Sequence, residues 1–337
     1  MRAFVVTGPR RSEVAEVRRP APAPGQVVVD IERVGVCGTD IELFTGEMAY
    51  LEQGHAAYPI RLGHEWCGTV SAVGDGVDPR WLGRRTTGDT MLGCGACDRC
   101  RAGRRHVCED RFEVGIRGGF PGALAEQLAF PAGALHALPD AVDEAAGALV
   151  EPGGSALRAL VAAQLRPGER VLVLGPGTIG LLTALFALAH GAEVHVLGLP
   201  GPSLGFARTL GVHGAWTADD LPRLPFDAVI DASTSPGLPA LALDLVEPGK
   251  RVVLIGVAGR PSMIDSRALV LKDITAVGLL GASAGLAGTI ERYAAGSVDP
   301  RPLVAATVGL GRVGDVLAGW RPAGSGPGPK IHVDPRT

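Results

Sequence analysis

Long apolar runs are missing from this 337-residue sequence. None reaches the ~18 residues that a membrane-spanning helix requires. The opening Met1-Arg2-Ala3-Phe4-Val5-Val6-Thr7-Gly8 reads as a strand and a turn, without the apolar core or small-residue cleavage site of a secretory leader. A cytoplasmic protein with no membrane partner is expected. A positive surplus is missing too: 32 Lys and Arg stand against 35 Asp and Glu, the net charge is −3 and the pI about 6.3. With no basic stripe, nucleic acid is not an expected partner. Lysine is rare while alanine and arginine abound, a bias of GC-rich coding that carries no chemical information. Repeats and low-complexity tracts are absent as well. What is present is 46% hydrophobic residues in a chain long enough for two cores, so two folded domains are expected rather than disorder.

Six cysteines in a reducing compartment are more readily metal thiolates than disulfides. The chain is organised around Val36-Cys37-Gly38-Thr39-Asp40 and, one loop later, Leu62-Gly63-His64-Glu65. Thiol, imidazole and carboxylate are ligand types that zinc accepts. Cys37 follows a β-rich stretch, 26–34, and opens a short helix over 40–44, whose N-terminus favours a thiolate. Thr39 places a hydroxyl two residues from that thiol, where a proton can leave. Residues 45–61 show no period and read as a loop near the substrate, with His55 as a loop histidine. Cys67 lacks a metal-spaced neighbour and reads as a small buried residue. A helix over 142–149 is expected after Asp140, followed by Glu151-Pro152, whose carboxylate is a candidate fourth group at the metal.

Cys94, Cys97, Cys100 and Cys108 are spaced C-x2-C-x2-C-x7-C. Four thiolates this close in sequence can close a tetrahedron around one zinc with no open position, a structural site that staples a loop. An iron–sulfur cluster is the alternative, disfavoured by the long last gap and the lack of a following Pro.

Arg170–Leu174 reads as a buried strand, and Gly175-Pro176-Gly177-Thr178-Ile179-Gly180 follows at once, leading into a helix and then a second strand over 193–197. This is G-x-G-x-x-G in a strand–turn–helix setting, the arrangement that seats a dinucleotide pyrophosphate on a helix N-terminus. The second strand ends in Leu197-Gly198-Leu199, without the acidic residue that usually holds the ribose of NAD. That lack inclines the reading to NADP, although no Arg or Lys follows before Arg208. Further strands and helices alternate up to Gly281, as in a parallel, doubly wound sheet. After it the pattern changes to a helix over 285–295 and a closing strand, Lys330–Val333, that returns to the first lobe.

Together, Gly35-Val36-Cys37-Gly38-Thr39-Asp40, Gly63-His64-Glu65, the cysteines at 94–108, Glu151-Pro152, the 175–180 turn and the Lys330–Val333 strand resemble the zinc-dependent medium-chain dehydrogenase/reductase family, on its polyol and threonine dehydrogenase side. The resemblance covers nearly the whole chain. It implies an α/β protein with a β-rich GroES-like catalytic domain, residues 1–151 with 282–337 returning to it, and a Rossmann cofactor domain over 152–281. It implies two zincs per chain. One would be catalytic, surrounded by Cys37, His64 and Glu65 or Glu151, and the other structural, on Cys94, Cys97, Cys100 and Cys108. It further implies NAD or NADP on the 175–180 turn and beside Gly198, a proton relay starting at Thr39, and a homodimer or homotetramer. Glu42 stands where relatives often carry a relay histidine.

The implied reaction moves hydride between a secondary alcohol and the nicotinamide, with zinc polarising the alcohol oxygen. Glutamates in place of a second thiolate suit a polar substrate such as a sugar, polyol, cyclitol or amino alcohol. Two other readings compete: a zinc-free quinone or enone reductase of the same fold, which has no need of these cysteines, and a non-catalytic nucleotide-binding zinc protein.

Overall fold

The computed structural model describes residues 1–337. Two sheets organise it. The first has seven strands, of which six run in the order Val304–Gly309, Lys330–Asp334, Gln26–Gly35, Glu65–Val73, Arg85–Gly88, Leu135–Ala137, and the seventh, Gln127–Pro131, also pairs with Gln26–Gly35. All its pairings are antiparallel except that of the two C-terminal strands. His332 lies opposite Gly35 and Val333 opposite Val34, so the expected return of the chain end to the first lobe takes place within hydrogen-bonded register.

The second sheet has six strands, all parallel, in the order Gly214–Trp216, Glu193–Leu197, Arg170–Leu174, Phe226–Asp231, Val246–Leu254, Thr275–Gly278. Val171, Leu172, Val173 and Leu174 are each fully buried, because helices cover both faces of a parallel sheet and leave a central strand no solvent side. This explains why that strand is a continuous apolar run, whereas Gln127–Pro131 alternates buried with partly exposed positions. The order reverses between Arg170–Leu174 and Phe226–Asp231, and the crevice at such a reversal is where doubly wound sheets hold ligands.

Helix boundaries depart from the sequence reading in three places. The helix expected from Asp140 begins only at Glu144, because Asp143 accepts the Ala146 N–H and supplies the cap. A new helix, Val150–Ala163, then starts at once, and Glu151 and Pro152 lie in its first turn, where a proline costs no hydrogen bond. The stretch 45–61 is not all loop: Ala49–Glu52 forms a single helical turn. Val150–Ala163 packs on the helix Thr178–Ala189 and on the returning helix Leu286–Ala294, whose Tyr293 hydroxyl donates to the Leu149 carbonyl at 3.2 Å. It therefore joins the two lobes and sets Glu151 at their junction. No helix is long and apolar enough to cross a membrane.

Candidate active site

Cys37 is the N-cap of the helix Gly38–Thr45, in extended conformation at the end of the strand Gln26–Gly35. Its N–H donates to Asp40 Oδ2 at 2.9 Å, while Asp40 Oδ1 accepts the Gly63 N–H at 3.2 Å and lies 3.5 Å from His64 Nδ1. That last separation is an ion contact, too long for a hydrogen bond, and Nδ1 has no other acceptor. One fully buried carboxylate thus ties the cysteine strand to the histidine strand. Burial raises the Asp40 pKa, but the charge of His64 and the N–H groups of Cys37 and Gly63 outweigh it and leave the group below its ordinary value. Burial opposes charge on His64 as well, yet Asp40 and then Cys37 raise it well above 6.5. A metal must displace that proton to bind.

The next residue, Glu65, opens the strand Glu65–Val73, with its carboxylate 1% exposed. Lys330 Nζ donates to both Glu65 oxygens, at 2.6 and 2.8 Å, and to the Val36 carbonyl at 2.9 Å. Cys37 Sγ, a His64 ring nitrogen and a Glu65 oxygen lie within 4.8 Å of one another. Sulfur, nitrogen and oxygen within that span fit a borderline ion such as zinc.

Glu151 stands outside this three-residue group but close enough to sense it. Burial pushes its carboxyl up to about 7, with His64 opposing and Glu65 adding to the shift. Thr39 is half-buried in the first turn of the Gly38–Thr45 helix, two residues from Cys37. Glu42 follows one turn later, its pKa raised by burial and by Glu47. His55 is exposed, edge-on to Tyr50. Cys67 is buried and donates its thiol to the Glu144 carbonyl at 3.2 Å. Asp40 and Lys330 are the site residues that the sequence reading left without roles. Asp40 had a local signal, a carboxylate three residues after an N-cap. Lys330 had none, being 265 positions from its partner.

Cys94, Cys97, Cys100 and Cys108 converge, all four sulfurs within 4.8 Å of one another. Cys94 Sγ to Cys100 Sγ is 4.0 Å and Cys97 Sγ to Cys108 Sγ is 3.8 Å. A tetrahedron with Zn–S bonds of about 2.3 Å has edges of about 3.8 Å, so the arrangement fits one zinc without rearrangement. N–H groups of Ala96 and Cys97 aimed at Cys94 pull its thiol down to about 6, whereas burial pushes Cys100 up to about 11.

At the crevice of the parallel sheet, Gly175 turns with φ +96° and Gly177 caps the helix Thr178–Ala189, so Pro176, Thr178 and Ile179 surround free amide groups at its N-terminus. A Cβ on Gly180 would stand 1.9 Å from the Gly175 carbonyl oxygen, which bars any side chain there. Gly198 follows the neighbouring strand Glu193–Leu197, and a Cβ on it would meet Pro176 Cγ at 2.6 Å. Leu199 beside it is 84% exposed, and Arg208 is occupied by the Ala215 carbonyl at 2.6 Å.

The Alcohol dehydrogenase GroES-like domain family matches residues 23–140. An L-threonine 3-dehydrogenase of Idiomarina loihiensis is 31% identical over 279 residues, covering 80% of each chain. A 2-dehydro-3-deoxy-L-galactonate 5-dehydrogenase of Pseudoalteromonas atlantica is 32% identical over 326 residues, covering 92% of each. Among solved structures, a candidate zinc-binding dehydrogenase of Sinorhizobium meliloti 1021, bound to NADP, is 26% identical with a TM-score of 0.89 over 99% of both chains. This chain belongs to the zinc-dependent medium-chain dehydrogenase/reductase family. Within that family it falls on the polyol and threonine dehydrogenase branch, and it is an NAD(P)-dependent dehydrogenase of alcohols.

Proposed function

We propose that the chain oxidises the secondary alcohol of a small polar substrate, a polyol, sugar, cyclitol or amino alcohol, or reduces the matching carbonyl, with Cys37, His64 and Glu65 holding a catalytic zinc. The single observation that carries this reading is the convergence of those three ligand atoms within 4.8 Å. Zinc bound there supplies Lewis-acid polarisation of the substrate oxygen, and the nicotinamide supplies the hydride acceptor. Asp40 orients His64 and favours its charged form before metal enters. Lys330 holds the Glu65 carboxylate in place yet leaves it lone pairs, since a carboxylate offers about four acceptor sites. Glu151, poised near neutrality, completes the set from the junction of the two lobes, directly or through water. Thr39 holds the proton that leaves the substrate and passes it outward.

The cysteines at 94, 97, 100 and 108 hold a second, structural zinc. The turn from Gly175 to Gly180 takes the pyrophosphate. The lack of an acid at Gly198 and Leu199 favours NADP over NAD. The two sheets support a division into a catalytic domain, 1–151 with 282–337, and a cofactor domain, 152–281. A cytoplasmic homodimer or homotetramer is proposed. The strand Thr275–Gly278 supports this assembly, because it is paired on one side only and flanked by the exposed Met263, Val270 and Leu271. Relatives that act on threonine and on a deoxy sugar acid support the polar substrate class.

The test is cofactor reduction followed spectrophotometrically with NAD and NADP across polyols, sugar acids, cyclitols and threonine, alongside zinc content. Cys37→Ser and His64→Ala are expected to abolish turnover and remove one of two zincs while cofactor still binds. Near-normal turnover in either variant would sink the assignment.

A further inference from the structure

We propose that Arg111, with Glu113 and Tyr50, forms a positioning unit that couples the four-cysteine group to the catalytic metal group, so that filling the first tightens the second. This rests on the proposed function, in which each of the two groups holds a metal.

The two groups share no ligand. Hydrogen bonds nevertheless run from one toward the other without a break in the packing. Arg111 follows Cys108 by three residues, and its Nη1 donates to the Cys108 carbonyl at 3.0 Å. Its Nε donates to Glu113 Oε1 at 2.7 Å and its Nη2 to the Tyr50 hydroxyl at 3.2 Å. That hydroxyl donates in turn to the same Glu113 oxygen at 3.1 Å. The Arg111 and Glu113 side chains are 12% and 4% exposed. One planar fork thus holds a carbonyl of the cysteine loop, a buried carboxylate and a phenol, which a lysine could not do. A buried ion pair adds little net stability over apolar side chains of the same volume, so orientation accounts for this one better than stability does.

Two routes lead on from this unit to the catalytic group. The first passes through Tyr50. Its carbonyl accepts the N–H groups of His55 and Ala56 at 2.8 and 3.0 Å, closing a turn, and beyond that turn the Tyr58 hydroxyl donates to the Leu43 carbonyl at 2.6 Å. Leu43 is buried in the helix Gly38–Thr45, which Cys37 caps. Arg117 fastens the same turn: its Nη2 donates to the Glu109 carbonyl at 3.2 Å, and its guanidinium lies 5.8 Å from the centre of the Tyr50 ring. The second route passes through Glu113. The strand Phe112–Glu113 pairs with Met91–Leu92, and the Val114 N–H donates to the Thr90 carbonyl at 3.0 Å. The Thr90 hydroxyl, on a residue 2% exposed, donates to the His64 carbonyl at 3.3 Å. A close-packed interior passes strain on, so a displaced Cys108 shifts both the Cys37 helix and the His64 backbone. Metal affinity is sensitive to such outer contacts of its ligands.

The probe is cobalt(II), whose absorption differs between four thiolates and one, so each group is read separately in metal-stripped protein. The quantity is the cobalt affinity of the catalytic group with the four-cysteine group filled, in wild type, divided by that with it disabled, in Cys97→Ser. Filling should tighten the catalytic group by about 3- to 30-fold. Between Arg111→Met and Arg111→Met/Cys97→Ser the difference should vanish, because methionine cannot join Cys108 to Glu113 and Tyr50. Tyr50→Phe leaves the Arg111–Glu113 pair intact and should lower the ratio in the same direction; it carries the test if Arg111→Met fails to fold. Leu128→Ala opens a cavity in the same β-rich core and should lower the Tm while keeping the wild-type ratio. Equal catalytic-group affinities in wild type and Cys97→Ser would overturn the proposal. So would a wild-type ratio in both Arg111→Met and Tyr50→Phe, or a ratio lost equally in Leu128→Ala. If Cys97→Ser or Cys37→Ser still binds two metals, the metal reading itself fails and the coupling with it. With one metal left in each, that reading stands and the ratios judge the coupling alone.

Discussion

Replacing Lys330 by Met tests the electrostatics of the site most directly. Lys330 is 3% and Glu65 1% exposed, and the ammonium contacts both carboxylate oxygens. Burial works against charge on Lys330, but Glu65, with help from Cys37, raises its pKa above that of an ordinary lysine. Removing the ammonium strands a carboxylate with almost no water around it, a loss of about 3–5 kcal/mol. In a chain of this length that corresponds to an apparent melting temperature lower by roughly 6–20 °C, toward the smaller figure. The assay is a double-mutant cycle of Lys330→Met, Glu65→Gln and the pair, melted at matched zinc loading. Because the second substitution removes the stranded charge, the pair should recover most of the stability lost by Lys330→Met alone. Strict additivity, or a Lys330→Met loss under about 1 kcal/mol, would show that the two groups do not depend on each other and would refute the reasoning. A zinc ion beside Glu65 replaces part of the missing positive charge, so the same substitution should cost less in the zinc-loaded protein than in the stripped one.

His332 carries a pH prediction. It is fully buried with neither ring nitrogen partnered, and burial, then the charges of Lys330 and Arg33, push its pKa down to about 3. The unfolded histidine titrates near 6.5, so between pH 6.5 and 3 the unfolded chain binds more protons and stability falls as pH falls. By pH 5 the loss is about 2 kcal/mol. His332→Leu should flatten the fall of melting temperature between pH 7 and 5, and an unchanged slope would contradict this. For the second metal group, Cys97→Ser should lower zinc from two to one per chain and open the stretch 93–110 to limited proteolysis, while the turn at 175–180 still binds cofactor; two retained zincs would rule out a four-thiolate site.

The parts legible in the sequence are those whose partners are close along the chain. Four cysteines within fifteen positions, a glycine turn between a strand and a helix, and Gly63-His64-Glu65 each signal their geometry locally. The strand Lys330–Val333 was readable as β and its return to the first lobe was expected, but its pairing with Gln26–Gly35 and the ion pair with Glu65 were not readable. Nothing local in a lysine says which carboxylate lies opposite after 265 residues. Asp40 is an intermediate case, visible as a capping carboxylate but not as the link to His64. The helix start at Glu144 instead of 142 was a choice between two aspartates, Asp140 and Asp143, and only the folded chain shows which one accepts an N–H.

The placement of the closing strand has a consequence for biosynthesis. Lys330–Asp334 is an interior strand, with Gln26–Gly35 on one side and Val304–Gly309 on the other. As the chain leaves the ribosome, all six strands of the parallel sheet emerge before the β-rich sheet can be completed. At 5–20 residues per second, the strand Gln26–Gly35 waits roughly 15–60 s for its last neighbour. Throughout that interval Glu65 lacks Lys330. The Glu65–Lys330 pair is therefore completed last, when the strands of the parallel sheet have already had time to pair.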